Sequence, residues 1–367
     1  MKRISRKTVV RAFLVTALIL GVSATSSPAH AQESIAPDVF GQPNAWDRAR
    51  DPRAARDFAT HVVVRHMLAQ AAVNDGDLGM LDPHANTIRE AMYSRAYLAL
   101  DEAFRSGSTD VRLRYDLGDV LSRQQRWDAA AEVLGKVLHD APRADEAHQA
   151  WLTLAFADAH RDKPEEERVA YEKFLEDETT TLERVVPVLN LAEADMRTHR
   201  LSDAIAGYRE ALQLSGRISQ QTQTGVLAVW GLAIALDRAG DARSAAEQAR
   251  IASRMDPEDR NMKRRPVLGD TANVFFVPSY ELYWYLALGS TEDAKQAPNA
   301  TAAKYYWGRA VTLWRAYLAP AEAIDKPEEW NAIAKKHLAS AEKQLKAATE
   351  RAKKEKPPPE EPHGLVF

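Results

Sequence analysis

The chain has 367 residues, 45% of them apolar, and no cysteine, which excludes disulfides, thiolate metal sites and a lipid-bearing N-terminal Cys together. Its formal charge is −3. Five of the 49 basic residues fall within the first eleven positions, beside no acidic residue, so the remainder carries 44 basic against 52 acidic residues, a net −8. That balance excludes a general nucleic-acid binder, whose affinity rests on neutralising phosphates.

At the N-terminus, Lys2, Arg3, Arg6, Lys7 and Arg11 precede an apolar run from Ala12 to Val22, and Ala29-His30-Ala31 places small residues at both flanking positions of a cleavage site. The pattern predicts a secretory signal peptide over residues 1–31, cut after Ala31. The run is short for a ~30 Å hydrocarbon core, an uncleaved anchor being the alternative reading, and no later segment is apolar enough to span one. The expected address is the bacterial periplasm, or release from the cell, or peripheral attachment to the outer membrane. Residues 32–51, with Pro37, Gly41 and Pro43, show no helical period and read as a flexible lead-in.

Residues 52–110 predict a divergent helix pair with an enlarged turn. Over Pro52 to Val73 the residues Ala55, Phe58, Ala59, Val62, His66, Ala69 and Val73 share one face, taken as the apolar one. Over Thr87 to Arg105 a stripe of Met92, Ala96, Ala99 and Ala103 runs beside a bulkier stripe of Tyr93, Tyr97, Leu100 and Phe104. His61 and His66 lie five apart, on different faces, which predicts one packed and one solvated histidine rather than a metal site.

Residues 111–258 carry a repeat. In Val111 to Pro142, Leu117, Gly118 and Leu121 share one side of a first helix, and Ala130, Leu134, Val137 and Leu138 share one side of a second. A polar turn, Arg123 to Arg126, joins them, and Pro142 closes the unit because it has no N–H to continue a helix. Gly118 and Ala130 are small where two backbones must approach, so a larger residue is expected to cost about 1–3 kcal/mol. The Leu-small pair returns as Leu154-Ala155, Leu191-Ala192 and Leu232-Ala233, the anchor leucines standing 37, 37 and 41 residues apart.

This spacing resembles the tetratricopeptide repeat family, with Trp151 where that family often has Trp, Ala for Gly in three of the four pairs, and Glu167 where an Ala is usual. The resemblance implies an all-α solenoid of helical hairpins, wound as a right-handed superhelix, with a concave groove lined by the first helix of each pair. Carried over from the anchor leucines, the groove positions are Tyr115, Asp119, Ser122 and Arg123, then Leu152, Phe156 and His160, then Leu189, Glu193 and Arg197, then Trp230, Ile234 and Arg238. Arg123, His160, Arg197 and Arg238 recur at one place and read either as a ladder for a carboxylate-bearing peptide or as partners of neighbouring acids. The family's clamp for a C-terminal carboxylate needs Lys and Asn where Tyr115, Leu152, Leu189, Trp230 and Asp119 stand, so the groove's mixture of apolar and basic groups points to an amphipathic or extended peptide.

Residues 259–350 begin by breaking the period at Arg260 to Asp270. Eleven of the chain's 28 aromatic residues then fall between Asn273 and Leu318. Helices are predicted over Ser279 to Leu288 and Ala300 to Leu318, joined by a polar turn from Gly289 to Asn299, and a C-terminal capping helix over Pro327 to Lys353. The aromatic block reads as core of the last repeats or as a pocket for a proline-rich peptide or a glycan. Residues 351–367 form a Pro/charged tail ending in Leu365-Val366-Phe367, a candidate free-carboxylate ligand.

No nucleophile elbow, phosphate loop or metal motif stands in the sequence, and Glu165-Glu166-Glu167 are ordinary first-turn charges. The reading is therefore a non-catalytic periplasmic scaffold or adaptor for protein or peptide partners, with no cofactor and no membrane span after cleavage. The run from Val274 to Gly289 is similar to envelope repeat proteins of gliding or predatory bacteria, which implies motility or secretion machinery. The alternative is a glycan-binding or peptidoglycan-processing accessory protein using the aromatic C-terminal helices.

Overall fold

The computed structural model describes residues 50–73, 84–178, 180–217, 222–258, 265–270, 275–322 and 330–355. The leader 1–31, the lead-in up to residue 49 and the tail from 356 onward lie outside them. Among the described residues there are fourteen α-helices, one 3-10 turn and no strand. The chain divides between Glu178 and Thr179, inside the 111–258 block, into two compact units.

The first unit holds α1 (Pro52–Val73), α2 (Ala85–Arg105), α3 (Val111–Arg123), α4 (Trp127–Asp140), α5 (Asp145–His160) and α6 (Pro164–Asp177). Each helix packs on the next, and α3 also packs on α1 and α5. In the second unit α7 (Thr181–Arg197), α8 (Leu201–Ser215), α9 (Thr222–Arg238) and α10 (Ala242–Met255) continue the pattern. The short α11 (Pro266–Asp270), then α12 (Leu282–Lys295, after a 3-10 turn at Ser279–Glu281), α13 (Ala300–Glu322) and α14 (Trp330–Ala352) complete it.

The four predicted hairpins are α3/α4, α5/α6, α7/α8 and α9/α10, and their turns close in one way. The second residue after each first helix is left-handed: Gln125 at φ 59°, Asp162 at 55°, His199 at 61° and Gly240 at 84°. The N–H of the following residue reaches back five positions in every case, Arg126 to Leu121, Lys163 to Asp158, Arg200 to Asp195 and Asp241 to Leu236, at 2.8–3.0 Å. This is a Schellman closure, which satisfies carbonyls that the helix end would leave unpaired. Only Gly240 adopts this φ without a Cβ penalty. Asp110 starts α3 as a side-chain cap, accepting from the Arg112 N–H at 2.8 Å.

Small residues set the crossings. A Cβ on Gly118 would meet Leu134 Cδ2 at 2.5 Å, one on Gly207 would meet Ala192 at 2.9 Å, and one on Gly231 would meet Tyr208 at 2.2 Å. Leu121, Ala130, Ala131 and Ala157 form one core of the first unit, and Tyr115, Leu134, Val137 and Ala150 another. Glu167, the departure from the usual Ala, is fully buried.

Two local expectations need correcting. On α1 the face of Ala55, Phe58, Ala59, Val62, His66 and Ala69 is exposed, and Val73's side chain lies outside the described residues. The buried side is Ala54, Asp57, Val64, Leu68 and Ala71. It was obscured because polar side chains sit in it: Asp57 accepts from Ser108 Oγ at 2.8 Å. The predicted turn from Gly289 to Asn299 is mostly helix, with α12 running to Lys295. Gly289, Ser290, Glu292 and Ala294 are buried, so this stretch has an interior side that its polar composition conceals.

Candidate partner-binding faces

In the first unit, α3 turns Asp116 and Asp119 toward α1. His61 Nδ1 lies 2.6 Å from Asp116 Oδ2, while His66, which its spacing placed on the apolar face, is exposed beside Gln70. Arg65 Nη1 donates to Asp119 Oδ2 at 2.8 Å, and Arg123 Nε donates to Asp119 Oδ1 at 2.7 Å. Burial disfavours the Asp119 charge, but the guanidinium groups of Arg123 and Arg65 outweigh it and hold the carboxyl below its ordinary value. For Asp116 burial prevails over His61 and Arg65, and the carboxyl is raised. Arg65 also lies over the Tyr115 ring at 5.5 Å. Burial, reinforced by the Asp119 charge, pushes the Tyr115 phenol up to about 12.

Further along this unit three rings gather. Phe156 and His160 stand one turn apart on α5, and Trp127 opens α4. The His160 ring stacks on Trp127 at 4.2 Å and 10°, and Phe156 meets Trp127 edge-on at 5.7 Å. All three are half-buried, so each keeps part of its surface in water. Next to them in sequence, Arg161 pairs with Asp128 and Asp158, and Arg126 covers the Tyr97 ring at 5.0 Å.

The second unit has a closed polar core. Glu193 accepts from Tyr208 Oη at 2.5 Å and from Tyr285 Oη at 3.0 Å. Burial, together with the Glu281 charge, pushes the Glu193 carboxyl up despite both donors and the Arg238 charge. Arg238 donates to Glu281 Oε2 at 2.5 Å and lies between Trp284 at 4.5 Å and Trp330 at 5.0 Å, a guanidinium between two indole faces. Asp237 accepts from Trp284 Nε1 at 3.0 Å and contacts His337 Nε2 at 2.9 Å, which brings α9, α12 and α14 to one point.

Of the predicted groove residues, Tyr115, Asp119, Leu189, Glu193, Trp230 and Arg238 are interior. Arg123, Phe156, His160 and Arg197 are half-buried. Counting from the anchor leucines identifies the inner side of each first helix but does not reveal what lies on it. Here Arg65 of α1 covers Tyr115 and Asp119, while Tyr285 of α12 meets Glu193 and Trp330 of α14 meets Arg238. The four-step basic ladder divides between the units, Arg123 bound to Asp119 and Arg238 to Glu281. Trp127 was missed by the counting because it begins a second helix. The i,i+4 pair Phe156 and His160 was the available signal for a ring cluster. The aromatic block is chiefly core: eight of its eleven rings are buried, with Tyr283, Tyr305 and Tyr306 the more open ones.

No family model matches the chain, and no curated protein matches it. Among solved structures it is similar to the apo form of the quorum sensor NprR from B. thuringiensis, at 12% identity over 82% of this chain and 88% of that one, with a TM-score of 0.44. Among the described residues no helix is long and apolar enough to cross a membrane.

Proposed function

We propose that the chain is an exported, non-catalytic adaptor of the tetratricopeptide type that holds a protein or peptide segment within an envelope complex. The four identical hairpin closures support the repeat assignment, since a shared turn geometry on unrelated residues is what a repeated unit requires. The observation that carries the binding role is the Trp127–Phe156–His160 cluster. Adjacent rings with part of their surface in water offer an apolar anchor at low entropic cost, as binding hot spots do. Its occupant is an apolar or aromatic side chain of an extended or amphipathic segment, and Arg123 contributes at most a charge already shared with Asp119.

The test places a photo-crosslinking phenylalanine derivative at position 156 and, as a control, at the exposed Glu132 of α4. Ultraviolet irradiation in the native envelope should give a discrete adduct from 156 and none from 132, and Trp127→Ala should abolish it. Equal adducts from both positions, or none from 156, would overturn the assignment. For export, the mass of the recovered chain should correspond to a start at Gln32, and a chain retaining residues 1–31 would refute cleavage.

A further inference from the structure

The second unit contains a cleft of about 460 Å3 whose lining includes Ser253, Glu258, Arg265, Asp293, Tyr305 and Tyr306. That volume lies within the ~300–1,000 Å3 typical of small-molecule sites. Tyr305 and Tyr306 meet edge-to-face, ring centres 5.0 Å apart at 74°, and form a corner with Tyr305 44% exposed. Glu258 is bound by Arg309 and Asp293 by Arg265, each through one carboxylate oxygen. Arg265 is otherwise engaged, donating to the Asp256 carbonyl at 2.8 Å and lying over Trp230 at 5.1 Å. Ser253 Oγ is buried in this lining with no hydrogen-bond partner among the described residues.

The charge balance narrows the ligand. The two lining carboxylates, Glu258 and Asp293, are each paired to a guanidinium, Arg309 and the lining Arg265, so neither is a bare charge with which to select a cation. Among the described residues each carboxylate keeps one oxygen that accepts no side-chain bond, Oε2 of Glu258 and Oδ1 of Asp293. Burial, helped by the Glu258 and Asp293 charges, raises the Tyr306 phenol, so it stays protonated and able to donate. Acceptors in excess and one ring face in the open match a molecule with several hydroxyl donors and an apolar C–H face.

We propose that this cleft binds a neutral polyhydroxylated ring, a sugar, with its C–H face on Tyr305 and its hydroxyls donating to Glu258 and Asp293. The site belongs to the second unit alone and stands or falls apart from the adaptor reading, which concerns the first.

The test is saturation-transfer-difference NMR on the full chain with glucose, N-acetylglucosamine and maltotriose as probes, and with choline and glucose 6-phosphate as charged controls. At least one neutral sugar should bind with millimolar affinity, ahead of both charged probes. Tyr305→Ala should weaken it about three- to tenfold by removing the stacking face, and Tyr305→Phe should not. Glu258→Gln should also weaken binding, with thermal melts confirming that each variant is folded. No transfer to any sugar at about 50 mM, preference for choline or the phosphate, or unchanged binding in folded Tyr305→Ala would each overturn the proposal.

Discussion

Gly231→Ala adds one methyl group where α9 crosses α8, and the structure sets its cost. The new Cβ would stand 2.2 Å from Tyr208 Cε1, 2.5 Å from Cζ and 2.8 Å from Cδ1. Ordinary carbon contacts lie at about 3.5–4.0 Å, so the ring must retreat by more than ~1 Å. Tyr208 has little room to do so, being fully buried with its hydroxyl on Glu193. Overpacking costs about 1–3 kcal/mol, and a weakened bond to a buried carboxylate about 1.5–3 kcal/mol. The gain from replacing a helical glycine by alanine is about 0.8–1 kcal/mol. The expected net loss is about 2–4 kcal/mol, read as a lower urea midpoint at unchanged slope by tryptophan fluorescence. In a Tyr208→Ala background the same change meets no ring, and should be neutral or stabilising by up to ~1 kcal/mol. An equal loss in both backgrounds would refute the steric account.

The three non-glycine turn residues give a second prediction: Gln125→Gly, Asp162→Gly and His199→Gly should each raise stability by up to about 1 kcal/mol, and destabilisation at all three would count against the closure described. For Glu193, whose carboxyl is raised above 4.5 when folded, the parent is disfavoured as pH rises through that value and the buried group ionises. Glu193→Gln should therefore melt about level with the parent near pH 4 and above it at pH 8, and the reverse trend would show the pair of tyrosines to be worth more than the buried charge costs. Asp119 has the opposite sign. Its folded value is held below 3.8, so its contribution is present above 3.8 and fades as pH falls through the lowered value. Asp119→Asn should cost about 2–4 kcal/mol at pH 7, discounted for the partial exposure of Arg65, with the gap to the parent closing only in acid; a pH-independent gap would refute the charge argument.

The hairpins were legible in the sequence because their signals are local. A Leu-small pair, a polar turn and an Ala-bearing second helix occupy about 34 residues and need no distant partner to be recognised. What escaped were positions whose environment is set by remote chain. Apolar spacing places Phe58 and Val62 on the α1 inner face, yet they are 42% and 49% exposed, while Asp57, His61 and Arg65 turn toward later segments of the chain. Their partners Ser108, Asp116 and Asp119 lie more than fifty residues away, and only that pairing makes a charged stripe an interior one.

The same cause explains why Phe156 keeps part of its surface in water while Arg238 is enclosed. Both are counted from the anchor leucine of their repeat, Phe156 two residues on from Leu154 and Arg238 six on from Leu232, and both lie on the first helix of a hairpin. The ring neighbours of Phe156 are close in sequence: His160 on its own helix and Trp127, which opens the second helix of the preceding hairpin. Arg238 instead receives Glu281 from 43 residues away, and Trp284 and Trp330 from further still. A guanidinium so enclosed has exchanged water for one carboxylate and two indole faces, and releasing it to a ligand would break a buried ion pair. A basic residue at a groove position is therefore evidence of ligand binding only where no later aromatic segment folds back over it. In this chain Arg238 fails that condition, enclosed as it is by Trp284 and Trp330.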